Sequence, residues 1–193
     1  MNYKKEYGDG NSFFINQALF LTQLNSPIIA NKLASGTVVF NNESKPLISK
    51  GFDTYVQWDI KGWEVYAGYT FTIAERNYLQ KNRFVPLTPK NRFATVIARE
   101  LSEKFRFGLE GSYAGRQYRY DATKTPGFLF VAAMIGYNFN PHIGLVLNCE
   151  NLLDYRQSKH EALYEGAITN PQFKSLWAPI DGRAVNLSLR LKK

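Results

Sequence analysis

Arginines and aromatics crowd the segments that the hydropathy pattern leaves outside regular structure. Arg116, Tyr118, Arg119, Tyr120, Arg156, Tyr164, Lys174 and Trp177 all fall there. A guanidinium forks onto a carboxylate or phosphate, and an aromatic ring stacks on a planar ligand. Together these side chains suit an anionic chelate, and they are the candidate ligand-binding residues. The plainer role for the same Lys and Arg side chains is to solubilise a loop or to meet an anionic lipid surface. Other chemistry has little to work with. A single cysteine, Cys149, rules out a disulfide framework and a cysteine-built zinc site. Of the two histidines, His142 falls in a tight turn and His160 in an opposite loop. No Ser/His/Asp arrangement converges, so neither an enzyme nor a metal or cofactor site is expected. The 24 Lys+Arg against 16 Asp+Glu leave a net charge of +8. That charge raises nucleic-acid binding, but the basic residues are dispersed and form no stripe, so nucleic acid is not an expected partner.

The elements that must position these residues are strands. Trp63, Val65, Ala67, Tyr69, Phe71 and Ile73 alternate with Glu64, Tyr66, Gly68, Thr70 and Thr72. From Lys104 to Arg116, Phe105, Phe107, Leu109, Gly111 and Tyr113 alternate with Arg106, Gly108, Glu110, Ser112, Ala114 and Arg116. The same two-residue period runs through 52–60, 143–151 and 185–191, and it marks a strand with one apolar face. Three further strands, 13–22, 92–101 and 128–139, are apolar on both faces for part of their length, and their inward face stays open. Between Lys124 and Glu150 no residue is formally charged, but Asn138, Asn140, Pro141 and His142 cut this stretch in two. Each piece is too short for a spanning helix and fits a tilted transmembrane strand. The total is about eight strands of roughly 10–14 residues, longer than ordinary soluble strands.

Connections alternate in length. Those near 59–62, 102–104 and 138–142 are tight; those over 22–45, 74–90, 117–127 and 154–181 are long. Long structureless loops argue against a soluble domain, whereas a transmembrane barrel has short turns on one side and long loops on the other. Trp58, Trp63, Phe105 and Tyr137 flank the tight turns, where an interfacial girdle belongs. The expected fold is all-β, an antiparallel up-and-down transmembrane β-barrel segment. The alternative is a self-contained small β-barrel or β-sandwich that binds a ligand or partner.

Four segments carry a family resemblance. Pro86-Leu87-Thr88-Pro89-Lys90-Asn91-Arg92 resembles the P-x-T-P-x-H-R stretch of TonB-dependent outer-membrane receptors, with Asn91 where His is common. Ser49-Lys50-Gly51-Phe52-Asp53 resembles their S-R-G-F/V-E strand entry. The run from Asn148 to Arg156 resembles their N-L-F-D penultimate strand, and Trp177 to Arg183 followed by 185–191 resembles their last strand. The matches stand in the family's order and span nearly the whole chain. The chain departs from the family in ending Leu191-Lys192-Lys193, where an aromatic read by the insertion machinery is usual.

The resemblance implies residence in the bacterial outer membrane and uptake of a scarce nutrient such as an iron–siderophore complex or a corrinoid. The family barrel has 22 strands around a plug. The expectation is therefore that residues 1–193 form the C-terminal part of such a barrel, with Met1 an internal start. The plug, its TonB contact and the N-terminal strands lie outside the chain, and no secretory signal precedes Asn11. Implied partners are outer-membrane lipid and lipopolysaccharide, the rest of the receptor, TonB only through the plug, and the chelate itself. Glu64, Tyr66, Arg106, Glu110, Arg116, Asn186 and Arg190 are then inward-facing, lining either a plugged lumen or a packed small barrel.

Overall fold

A computed structural model describes residues 1–8 and 10–191. Its elements are thirteen strands: β1 (Asn2–Glu6), β2 (Ser12–Leu24), β3 (Ile28–Lys32), β4 (Val38–Asn42), β5 (Leu47–Ile60), β6 (Trp63–Arg76), β7 (Asn91–Ser102), β8 (Phe105–Ala114), β9 (Phe128–Asn138), β10 (Ile143–Glu150), β11 (Tyr164–Glu165), β12 (Gln172–Phe173) and β13 (Ala184–Leu191). One turn of 3-10 helix covers Gln157–Lys159. Among the described residues no helix is long and apolar enough to cross a membrane.

Nine strands form one antiparallel sheet in the order β1-β2-β5-β6-β7-β8-β9-β10-β13. Each strand joins its neighbour in sequence, with β3–β4 and β11–β12 as separate hairpins inside the long connections. The eight strands expected from periodicity all appear. Three additions lay outside the pattern. β1 occupies the polar N-terminal stretch and pairs with β2 from Asn2↔Asn16 to Glu6↔Ser12. The two hairpins fall in the 22–45 and 154–181 loops, where runs of five and two residues are too short for a period to register.

The register fixes the faces, including those that the pattern left open. Across β5–β10 one row runs Trp58↔Val65↔Ile97↔Leu109↔Ala133↔Cys149 and continues to Val185 on β13. The adjoining row runs Asp59↔Glu64↔Ala98↔Gly108↔Met134↔Asn148↔Asn186. Side chains alternate across a strand, so one face is apolar and the other polar or small. Phe13, Phe93 and Leu129 belong to the apolar face. Glu64, Tyr66, Arg106, Glu110, Asn186 and Arg190 all take the polar face, where Arg106 bridges Glu64 at 3.6 Å and Glu100 at 3.9 Å. Arg116 does not: β8 ends at Ala114, so this residue stands in the connection beyond it.

Aromatics bound the apolar face at both ends. Trp63 meets Phe107 edge-on at 5.7 Å and carries Arg99 over its ring at 4.8 Å, beside the short turns. Phe52 stacks on Phe71 at 5.7 Å and Tyr69 pairs with Phe93, beside the long connections. Two such girdles mark the two interfaces of a membrane strand. Short turns are built for tightness. Lys61 (φ 47°) and Gly62 (φ 79°) both take positive φ, the two-residue hairpin geometry that matches strand twist. At the 139–142 turn, Asn140 Oδ1 accepts from the amides of His142 and Ile143 at 2.9 Å. Gly51 faces the Phe71 carbonyl so closely that any Cβ would collide with it, which gives the glycine of the strand-entry motif a physical reason.

No second layer covers the sheet. Ala98 and Trp177 are the buried apolar side chains among the described residues, whereas Leu109, Ile135, Leu147, Leu187 and Leu189 lie exposed on the apolar face. A sandwich packs its apolar faces about 10 Å apart; here that face meets no protein. Nor, among the described residues, does the sheet close on itself: β1 pairs only with β2, and β13 only with β10. The terminal lysines, on which the departure from the family ending rests, lie outside the described residues.

The two faces predict opposite responses to charge. Leu109→Arg, midway between the girdles, is expected to destabilise the lipid-inserted protein by about 2–4 kcal/mol. Ser112→Arg on the polar face should cost much less. Urea titration of each variant in phosphatidylcholine vesicles measures the difference.

Candidate ligand site

The long connections gather at one end of the sheet, and two of them interlock. The 115–127 connection leaves β8 and folds back on itself, Arg119 N donating to Thr123 O and Thr125 N to Gln117 O at 2.8 and 2.9 Å. The 151–183 connection wraps against it. Gln157, fully buried, organises the contact. Its Nε2 donates to Glu161 Oε1 and to Ser175 O, both at 3.0 Å, and its Oε1 accepts from Trp177 N at 2.9 Å. Gln117 Nε2 crosses between the connections to Trp177 O at 3.2 Å. Glu161 Oε1 also accepts from Arg119 Nη2 at 2.7 Å and from Trp177 Nε1. Burial pushes the Glu161 carboxyl up, but the Trp177 hydrogen bond and the Arg119 charge outweigh it, and the group stays below the ordinary range.

Rings fill the space beneath. Phe128, at the start of β9, stacks on Tyr155 at 5.5 Å; Tyr155 stacks on His160 at 4.7 Å; Trp177 leans on all three. The N-L-x-D stretch supplies the hinge. Asn151 (φ 48°) is buried; its side chain donates to Tyr155 O and Asp181 O and accepts from Tyr155 N. Asp154 accepts from Lys159 Nζ at 2.6 Å, Arg156 Nη2 at 3.0 Å and Arg183 N at 3.1 Å. The Lys159 bond, led against partial desolvation and helped by the Arg183 amide and the Arg156 charge, holds its carboxyl at about 2. The motif thus pins the exit of β10 to the entry of β13.

The structure distributes the eight candidate residues unevenly. Arg116 is exposed and Tyr120 is 71% exposed. Arg119 is tied to Glu161, Arg156 to Asp154 at 3.0 Å and Lys174 to Glu165 at 2.8 Å. Tyr118 stacks on Phe84 at 4.6 Å, and Tyr164 meets Phe173 on the β11–β12 hairpin. Trp177 is 5% exposed and serves as packing between the connections. A cavity of about 350 Å³ brings Arg119, Tyr120 and Lys174 together with Asp121, Glu161 and Glu165. Arg116, Tyr118, Arg156, Tyr164 and Trp177 do not line it. Sequence reasoning missed Gln117, Asn151, Gln157 and Glu161, the residues that hold the site in shape. Polar residues in a loop carry no periodic signal; only Asn151 sits in a motif that marks it.

A one-layer sheet with an unshielded apolar face, two aromatic girdles and interlocked connections at one end is the wall of a membrane barrel. The family profile described as TonB dependent receptor-like, beta-barrel, matches residues 3–152. The chain belongs to this family of bacterial outer-membrane receptors, which are not enzymes. Among solved structures it is similar to the siderophore receptor PiuA from Acinetobacter baumannii, at 19% identity and a TM-score of 0.69 over 97% of this chain and 27% of that one. It is also similar to the ferripyoverdine receptor of the Pseudomonas aeruginosa outer membrane (18% identity, TM-score 0.64, 98% and 26% of the two chains). A third likeness is to the ferric-catecholate import receptor Fiu from K12 E. coli (22% identity, TM-score 0.58, 79% and 22%). The chain therefore spans about a quarter of the length of these solved relatives.

Two outcomes test the interlock. Gln157→Leu strands the amide of Trp177 and the carbonyl of Ser175, so local opening should become easier by about 1–3 kcal/mol. Hydrogen exchange at 175–178 measures it. Because the folded carboxyl of Asp154 lies below its unfolded value of about 3.9, its contribution is present above that pH and is lost as pH falls towards about 2. Trp177 emission, recorded with Trp58 and Trp63 replaced by Phe, should shift across that window, and Asp154→Asn should remove the step.

Proposed function

We propose that the chain supplies wall and extracellular loops to an outer-membrane receptor that takes up a bulky anionic nutrient, with a ferric siderophore as the favoured cargo and a corrinoid as the second. The supporting observation is the loop cluster itself. It is locked by the buried side-chain amides of Asn151 and Gln157 and by the partly buried carboxylates of Asp154 and Glu161, yet it leaves Arg116 and Tyr120 exposed. Exposed rings and guanidinia on a preformed platform bind a planar anion without first ordering a loop. The names of the similar structures, receptors for siderophores and ferric catecholates, agree with that cargo class. Energy for uptake comes, in this reading, from TonB acting on a plug that belongs to the rest of the receptor. The polar face then faces that plug, and the apolar face meets lipid. Residues 1–193 act as the C-terminal part of the barrel.

The open sheet disfavours a self-contained small barrel. Two free edges leave backbone groups unpaired in lipid, where each costs several kcal/mol. Further strands must cover β1 and β13.

Binding of a ferric catecholate and a ferric hydroxamate to the detergent-folded protein, followed by quenching of tryptophan emission, tests the cargo class. Saturable quenching by at least one chelate is expected, with Arg116→Glu combined with Tyr120→Ala weakening it about tenfold, about 1.4 kcal/mol. No saturable binding of either chelate, or equal binding by the variant, would overturn the reading.

A further inference from the structure

We propose that the cavity between the 77–90 and 115–127 connections is a binding site for a phosphate-type oxyanion, separate from the surface that Arg116 and Tyr120 present. The cavity has a volume of about 330 Å³. Lys81, Arg83 and Arg119 line it against one carboxylate, Glu75, and with Arg119 paired to Glu161 the remaining excess comes from Lys81 and Arg83. That excess of positive charge sits in a concave site, where field lines focus and an anion gains most.

The aromatic wall decides the ligand class. Phe84 and Tyr118 stack on each other at 4.6 Å with ring planes 11° apart. Lys90 covers the Phe84 ring at 4.6 Å and Lys124 the Tyr118 ring at 5.4 Å. Every ring face is therefore occupied by another ring or by an ammonium group. A planar ligand has nothing left to stack on, and what the cavity offers is charge and N–H donors. Both neighbouring ammonium groups add to the positive field.

The donors are held in place beforehand. Arg76 Nη2 donates to Asn82 O at 3.0 Å, and Arg83 bonds the Asn77 side chain, so the 77–83 turn is fixed. Arg119 is oriented by Thr123 at 3.2 Å and Glu161 at 2.7 Å, which leaves its Nε without a protein partner. A buried donor without a partner is uncommon, and an oxyanion in the cavity that Arg119 lines would supply the acceptor its Nε lacks.

The position of the cavity also matters. Glu75 belongs to the same face of β6 as Phe71 and Ile73, so one wall stands above the rim of the lipid-facing side. A phosphorylated lipid headgroup of the outer leaflet and a soluble phosphate share the chemistry, and the test separates them. Neither depends on the chelate reading.

Isothermal titration of the full chain in detergent would use three probes: bisphosphorylated lipid A, the same lipid with its phosphates removed, and inorganic pyrophosphate. Binding of a phosphate-bearing probe is expected, and Lys81→Gln with Arg83→Gln should weaken it at least tenfold with the β-sheet circular dichroism unchanged. Lys81→Gln alone, at an exposed position, should weaken it less. Binding of lipid A that requires its phosphates assigns the site to the headgroup; binding of pyrophosphate without lipid A assigns it to a soluble anion. The proposal fails if neither phosphate probe binds, if lipid A binds equally without its phosphates, or if the double variant binds as well as the parent.

Discussion

Backbone hydrogen bonding in a medium without water governs this structure. Inside lipid every N–H and C=O must find a partner within the protein, and an antiparallel ladder meets that demand for all strands that have neighbours on both sides. The ladder sets the register, the register sets the faces, and the faces decide what touches lipid. Trp58, Val65, Ile97 and Leu109 line up across four strands because pairing allows no other offset. A shift of one residue would carry Asp59 and Glu64 into hydrocarbon.

The loops obey a different constraint. In water a connection needs no ladder, and a segment as long as 151–183 would fluctuate without anchors. Gln157 and Asn151 provide them by answering several backbone groups each from buried positions. Glu161 ties the Trp177 ring and Arg119 to one oxygen. Rigidity at the loops thus comes from polar side chains, and rigidity in the wall from the main chain.

This division explains what the sequence made legible. Strands such as β6 and β8 announce themselves through alternation, because lipid enforces a period of two along their whole length. The tight turn at Lys61–Gly62 is equally visible, since positive φ there favours glycine. β1 is hidden by its brevity and by lysines at an exposed edge. Gln157 is hidden because its role depends on Ser175 and Trp177, nearly twenty positions away, and no local pattern records that meeting. Arginine and tyrosine types pointed to the long connections, which the structure gathers at one end of the sheet. Which of them are spent on internal ion pairs, as Arg156 and Lys174 are, becomes visible only when their partners Asp154 and Glu165 are placed.

Each strand of the sheet touches only the strands that precede and follow it in the wall, and no crossover links distant parts of the chain. Such a meander is modular. A hairpin with its outer loop can be lengthened, shortened or exchanged, and the pairing elsewhere is unaffected so long as strands come and go in twos. Selection can therefore rewrite the loop surface at the rate of loop evolution while the wall stays under the slower discipline of lipid. The same modularity suits assembly by successive addition of hairpins from one edge, with no long-range contact to wait for.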